Sequence, residues 1–303
     1  METILITIVS LVVIMALAFY MIKVRDKIAN GDLKFVEIMS DKAVIITTII
    51  HSGGEGDAFY HTKLTVYDLK NPQEKKIKVF KQELKEVHRI EKYLVMELER
   101  RYFSIFDTEA FEECFNTRQP ANYLKLDSED GIAEIKYQKG DWKFDITTSQ
   151  GKKLYIYLKD ILKLRNTEPQ IEKRKYPIGN FNLYKHKQNE TFVLHYNHQP
   201  ILGSKEYINA QVVSGDENIG VILHDAAIMD YPEVRVTAVN SKGQEVWTYN
   251  QQQLKLKHER EYDNRIKLYD WREEGEYLLL AFEAKKDRVV GLHKKNGAIL
   301  FLY

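Results

Sequence analysis

Cysteine is nearly absent from this chain: Cys114 is the only one in 303 residues. No intramolecular disulfide can form, so a disulfide scaffold is excluded, and a structural zinc site would have a single thiolate to draw on. Charge of one sign is also lacking. The 45 Lys and Arg residues face 44 Asp and Glu, a formal net charge of +1. Such a balance makes no field that would gather a polyanion, so nucleic acid is not an expected partner. Long apolar runs are missing after the first few turns of chain. Metal and cofactor signatures are missing as well: no HExxH pair, no Gly-Lys-Ser/Thr phosphate loop, no GxGxxG turn and no GxSxG elbow occur. No cofactor and no metal ligand is therefore expected. The remaining composition, 44% hydrophobic and 29% charged, is that of an ordinary globular chain rather than a disordered one. Its length suits one large domain or two small ones.

The one long apolar run covers residues 4–22, ILITIVSLVVIMALAFYMI, without a formal charge. As a helix rising about 1.5 Å per residue, it would nearly match a hydrocarbon core of roughly 30 Å. The expectation is a single-pass transmembrane helix over residues 4–22, with residues 1–3 as a short flank and residues 23–32 as a juxtamembrane linker. The lipid bilayer is thus the first partner expected. Cleavage after the small-x-small sequence Ala16-Leu17-Ala18 is the rival reading, but Met-Glu-Thr before the run lacks the basic residues of a signal peptide. Lys23, Arg25 and Lys27 follow the run, whereas Glu2 precedes it. That bias favours a cytoplasmic side for the rest of the chain.

Beyond the linker the pattern becomes that of strands, short runs rich in Val, Ile, Tyr, Phe and Thr closed by polar turns. Residues 43–50 (AVIITTII), 93–98 (YLVMEL), 154–158 (LYIYL), 191–195 (TFVLH), 234–239 (VRVTAV) and 277–282 (YLLLAF) are examples. The one weakly helical stretch, residues 80–89, is too short and too charged to organise a core and reads as an edge strand or a single helical turn. Hairpins recur with turn centres near Lys70, Thr108, Gln150, Gln188, Lys242 and Asn296, separations of 38, 42, 38, 54 and 54 residues. A four-stranded propeller blade needs about 40 to 50 residues, so the spacing predicts an all-β domain over residues 33–303 with about six blades. Gly151, Gly243 and Gly297 stand where tight hairpins need positive φ. A β-sandwich, or two small β-domains with the second starting near Asn180, fits the strand lengths as an alternative.

The units VNSKGQEVWTY and HKKNGAILFLY resemble the strand-turn-strand repeats of quinoprotein-type and other bacterial propellers. The succession of HTKLTVYDLKNP, YFSIFDTEAF, ITTSQGKKLYIYL and VVGLHKKNGAILFLY is similar to a family of uncharacterised bacterial envelope proteins with a propeller-like domain behind an N-terminal hydrophobic anchor. The resemblance implies a fold and an envelope location but no reaction. It favours an extracytoplasmic domain, against the flanking charges.

Few residues suggest chemistry. His224 and Asp225 end the apolar stretch 219–223, and Asp230 follows, which makes the three candidate catalytic groups: a His beside carboxylates at a strand end can serve as acid or base. His195 and His198 read as a partly exposed pair on the turn before Pro200. The glycine-dense residues 52–57 (SGGEGD) read as a hairpin loop, and residues 172–175 (EKRK) as a solvated linker. Cys114 reads as a small buried hydrophobe, and Trp142, Trp247 and Trp271 as packing anchors. The function expected is a membrane-anchored binding or scaffolding protein whose propeller loops recognise a protein or a small ligand. The alternative is an envelope enzyme with its active site in the propeller channel.

Overall fold

Alternation of apolar and polar side chains, with β-branched residues on the apolar face, commits almost every described segment to antiparallel strands. The computed structural model describes residues 31–52, 58–99, 102–117, 132–138, 141, 143–162, 179–185, 191–228, 232–257, 266–284 and 286–303. The apolar run 4–22, the glycine-rich residues 53–57, Trp142, the basic residues 173–175 and Asp230 lie outside them. Among the described residues no helix is long and apolar enough to cross a membrane.

Strands β1 (Asp32–Met39), β2 (Lys42–Ser52), β3 (Ala58–Asp68) and β4 (Lys75–Phe80) form the first four-stranded sheet in sequence order. Strand β1 already includes Asp32, the last residue of the expected linker. Strands β5 (Leu84–Ile90), β6 (Tyr93–Leu98), β7 (Tyr102–Asp107) and β8 (Glu112–Asn116) form the second, with β5 at its edge. The stretch 80–89 therefore reads as the end of one strand and the start of an edge strand. Strands β9 (Ile132–Gln138), β10 (Lys143–Thr148) and β11 (Lys153–Tyr157) make a three-stranded sheet, followed by the short helix α1 (Leu158–Leu162).

Strands β12 (Phe181–Lys185), β13 (Thr191–Tyr196), β14 (Gln199–Pro200), β15 (Tyr207–Gly215), β16 (Ile219–Asp225), β17 (Val234–Asn240) and β18 (Glu245–Asn250) share one seven-stranded sheet. Strands β19 (Lys267–Glu274), β20 (Tyr277–Glu283), β21 (Arg288–His293) and β22 (Ile299–Leu302) close the chain as a four-stranded meander.

All six expected hairpins are present, but they occupy five sheets, not six. The hairpins at Gln188 and Lys242 are parts of the same sheet, because β13 pairs with β15 through Thr191–Ile208 and Phe192–Tyr207 while β14 turns back onto its other end. Asn197 and His198, both at positive φ, make the tight turn between β13 and β14. Gly151, Gly243 and Gly297 have φ of 81°, 76° and 71°. Each sheet is built of strands consecutive in the chain, and no described strand joins the last sheet to the first.

The chain divides into two compact units. The first consists of the described residues of Met1–Phe35, Ile45–Val66 and Lys76–Glu172. Here Phe103, Ile105 and Phe115 of the second sheet pack against Phe144, Ile146 and Ile156 of the third, and Leu158 and Leu162 of α1 close the cluster. Thr62 Oγ1 donates to the Gln82 carbonyl at 2.7 Å, and Phe80 meets Phe106 edge-on at 6.4 Å.

The second unit consists of the described residues of Val36–Val44, Tyr67–Lys75 and Lys173–Tyr303. Val221, Val236 and Ala238 pack against Leu278, Leu280 and Val290. Trp247 Nε1 donates to the Lys294 carbonyl at 2.7 Å, and the Tyr249 hydroxyl to the Gly297 carbonyl at 2.6 Å. Trp247 and Trp271 are thus packing anchors, as expected. Gly220 is required by its neighbour, since a Cβ there would lie 2.6 Å from the Phe181 ring. Tyr67 stacks on Phe301 with ring centroids 4.1 Å apart.

Candidate functional site

The expected catalytic trio is only partly placed. His224 lies on β16 with 3% of its surface exposed, beneath the ring of Tyr207 at 5.0 Å. Both of its nitrogens are occupied: Nε2 with Thr237 Oγ1 at 2.9 Å and Nδ1 with the Asp225 carbonyl at 3.0 Å. Asp225 points its carboxylate at Asn209 Nδ2, 2.8 Å away. The neighbouring strand β17 supplies Thr237, and Thr237 in turn meets Thr248 Oγ1 at 3.1 Å. An imidazole so enclosed, with both nitrogens engaged, ties β16 to β17. Asp230 lies outside the described residues.

Burial pushes the His224 pKa below its ordinary value of 6.5, and the charges of Lys205 and Arg235 act in the same direction, while the hydrogen bond to the Asp225 carbonyl opposes them. The unfolded chain therefore binds a proton more readily at this site. Its contribution to stability is complete above pH 6.5 and is lost as pH falls from there through the lower folded-state pKa. A His224→Gln variant should flatten that part of the acid slope. Urea midpoints of the wild type and the variant, compared from pH 7.5 down to 5, will measure it; parallel curves would assign the acid sensitivity elsewhere.

Other ionic groups are also engaged. Arg272 on β19 is buried, with its guanidinium forked onto the Asp270 carboxylate, one arm at 2.6 Å, and its Nε on Glu37 at 3.2 Å. Burial opposes the guanidinium charge, but the Asp270 hydrogen bond and the Glu37 field more than offset it. Lys294 is buried against Glu273. Cys114 is half-buried rather than fully enclosed. Burial raises its thiol pKa, and Asp107 and Glu112 add to the shift, so it is a poor nucleophile. Among the described residues, no three His, Cys, Asp or Glu side chains group as metal ligands would.

What the fold leaves open is the outer face of the three-stranded sheet. Successive side chains on β11 alternate, so Ile156 enters the core while Lys153, Tyr155 and Tyr157 all face out. Tyr155 is 53% exposed and Tyr157 42%. The register sets Asp145 opposite Tyr155 and Lys143 opposite Tyr157. Lys143 Nζ lies 5.1 Å from the Tyr155 ring, and Lys159 Nζ lies 5.3 Å from the Tyr157 ring. On β9, Gln138 Nε2 donates to Asp145 at 3.1 Å, and Lys136 pairs with Glu134. The result is a shallow, mixed-charge face with two accessible phenols, held by a rigid sheet. Residues 154–158 are legible in the sequence as a strand, and LYIY spacing is the signal that two tyrosines share a face. Which face meets solvent is a tertiary outcome.

These features define an all-β protein of consecutive antiparallel meanders. No family model matches the chain, and no curated protein matches it. Solved structures do. The β-propeller domain of the trilobed protease from Pyrococcus furiosus is 9% identical over 86% of this chain and 93% of that one, with a TM-score of 0.30. The C-terminal WD40 domain of Sif2 is 12% identical over 84% and 68%, with a TM-score of 0.19. The acylaminoacyl peptidase of Pyrococcus horikoshii is 7% identical over 89% and 45%, with a TM-score of 0.26. At such scores the class rests on the sheets themselves.

Proposed function

We propose that this chain is a membrane-anchored binding or scaffolding protein, held to the bilayer by residues 4–22 and recognising a protein partner through exposed faces of propeller-like sheets. The carrying observation is the pair Tyr155 and Tyr157, exposed side by side on an edge strand with Lys143 and Lys159 against their rings. Tyrosine in a rigid setting contributes large contact area at small entropic cost, which is why it is enriched where proteins meet. The propeller-like reading draws on the order of packing. In one unit the second sheet packs on the third, and in the other the seven-stranded sheet packs on the last. The last sheet also meets strands of the first through the Tyr67–Phe301 stack. Sequential sheets packed face to face in this way are the arrangement that neighbouring blades adopt. An enzyme drawing on His224, Asp225 and Asp230 is less well supported, because the imidazole is enclosed.

A Tyr155→Ala/Tyr157→Ala variant should melt close to the wild type, since both side chains are exposed, yet lose the proteins that co-purify with the full chain from its native membranes after crosslinking. An unchanged set of partners would overturn the assignment of this face. The anchor has its own readout: the full chain should stay in the membrane pellet after alkaline carbonate washing, and recovery in the supernatant would remove it.

A further inference from the structure

The longest hairpin of the first sheet carries its apolar surface at the wrong end for a core. β2 and β3 are each 11 residues long, and the inner parts of both are buried. Towards the connecting residues 53–57, however, Ile50 is 53% exposed, Phe59 58% and Tyr60 37%, and Ala58 is exposed beside them. Three large apolar side chains therefore stand exposed towards this end of the hairpin, Phe59 and Tyr60 on opposite faces of β3, where they add nothing to the interior.

The position of that tip relative to the rest of the chain says what it meets. β1 and β2 are joined by the tight turn at Ser40 and Asp41, so the start of β1 lies beside the end of β2. Gly31 confirms this, for it packs directly on the backbone of Thr48 and Ile49. The chain thus joins the sheet at the end from which the hairpin projects. Residues 23–30 are all that separate the apolar run 4–22 from Gly31. Even fully extended at about 3.5 Å per residue, those eight residues reach no more than roughly 28 Å.

We infer that the tip formed by Ile50, Phe59 and Tyr60 docks in the interfacial layer of the same bilayer that residues 4–22 span, giving the first sheet a second, reversible membrane contact. The inference rests on the anchor proposed above. Tyr60 suits the headgroup boundary, where an aromatic ring with a polar end is favoured, and Phe59 and Ile50 supply apolar area below it.

The test uses the full chain with Cys114→Ser and Ala58→Cys, the latter carrying an environment-sensitive fluorophore, reconstituted in phosphatidylcholine vesicles. Quenching by a nitroxide placed on the lipid near the headgroup should exceed quenching of the same probe at Leu202→Cys, which is 93% exposed. Adding Phe59→Ser and Tyr60→Ser should cut the lipid quenching at position 58 by about half or more while the protein stays with the vesicles. A protein that sediments with the vesicles but shows equal quenching at positions 58 and 202 overturns the docking and leaves the anchor standing. A protein that does not sediment overturns the anchor, and the docking with it.

Discussion

Arg272→Ala is expected to lower the unfolding free energy by about 3 to 5 kcal/mol, because it leaves the buried Asp270 and the partly buried Glu37 without their shared cation. Asp270 is 9% exposed at its side chain and Glu37 14%, so water reaches neither freely. The guanidinium serves both at once, with its fork on Asp270 and its Nε on Glu37. Lysine cannot reproduce that geometry, since an ammonium is a point charge on a flexible stem, so Arg272→Lys should recover only part of the loss. For a chain of this size the alanine variant should melt about 10 °C below the wild type. Thermal unfolding followed by circular dichroism will show it. A change of less than about 2 °C would mean that solvent screens the network and that the fork contributes little.

Phe144→Ala should be comparably damaging in the other unit. The ring is fully buried and sits among Tyr137, Phe115 and Phe103 at centroid distances of 5.0, 5.2 and 5.5 Å. Truncation removes its transfer free energy and leaves a cavity lined by stiff rings that collapse poorly, for an expected loss of about 3 to 5 kcal/mol. Phe144→Leu should cost less, since it keeps most of the apolar volume. The quantity to measure is the urea midpoint at constant m value. A shift worth under about 1 kcal/mol would show that the cluster relaxes around the gap and is not the centre of the unit's packing.

The exposed tyrosines and the ribbon tip bear on how such a molecule works. Neither contributes much to stability, and both sit on strands whose inner residues are locked in a core. A rigid scaffold that presents apolar side chains outward can bind without paying to order them. On the function proposed here, recognition would fall on strand faces and a hairpin end, in addition to the loops expected from the sequence.

Strands, turns and the six hairpins are local properties, and residues such as Gly151, Gly243 and Gly297 announced them because only a few residue types tolerate positive φ. The alternation in LYIYL likewise fixed which side chains share a face. Helix α1 left no usable signal, being five residues in length. The number of sheets was not legible, because the union of two hairpins depends on two residue pairs between β13 and β15. The surroundings of His224 were not legible either: a His beside an Asp reads identically whether Thr237 covers it or a channel does.

Sequence alone determined that this protein is all-β and where it turns, since the period of two and the φ demands of turn residues act over a few positions. It also set one apolar run long enough for a bilayer. Tertiary structure alone decided that Glu37 meets Arg272, 235 residues away, and that Phe301 stacks on Tyr67. It decided too which apolar residues were left outside. Such pairings depend on how sheets stack, and stacking is chosen by the fit of whole faces, which no short stretch of sequence encodes.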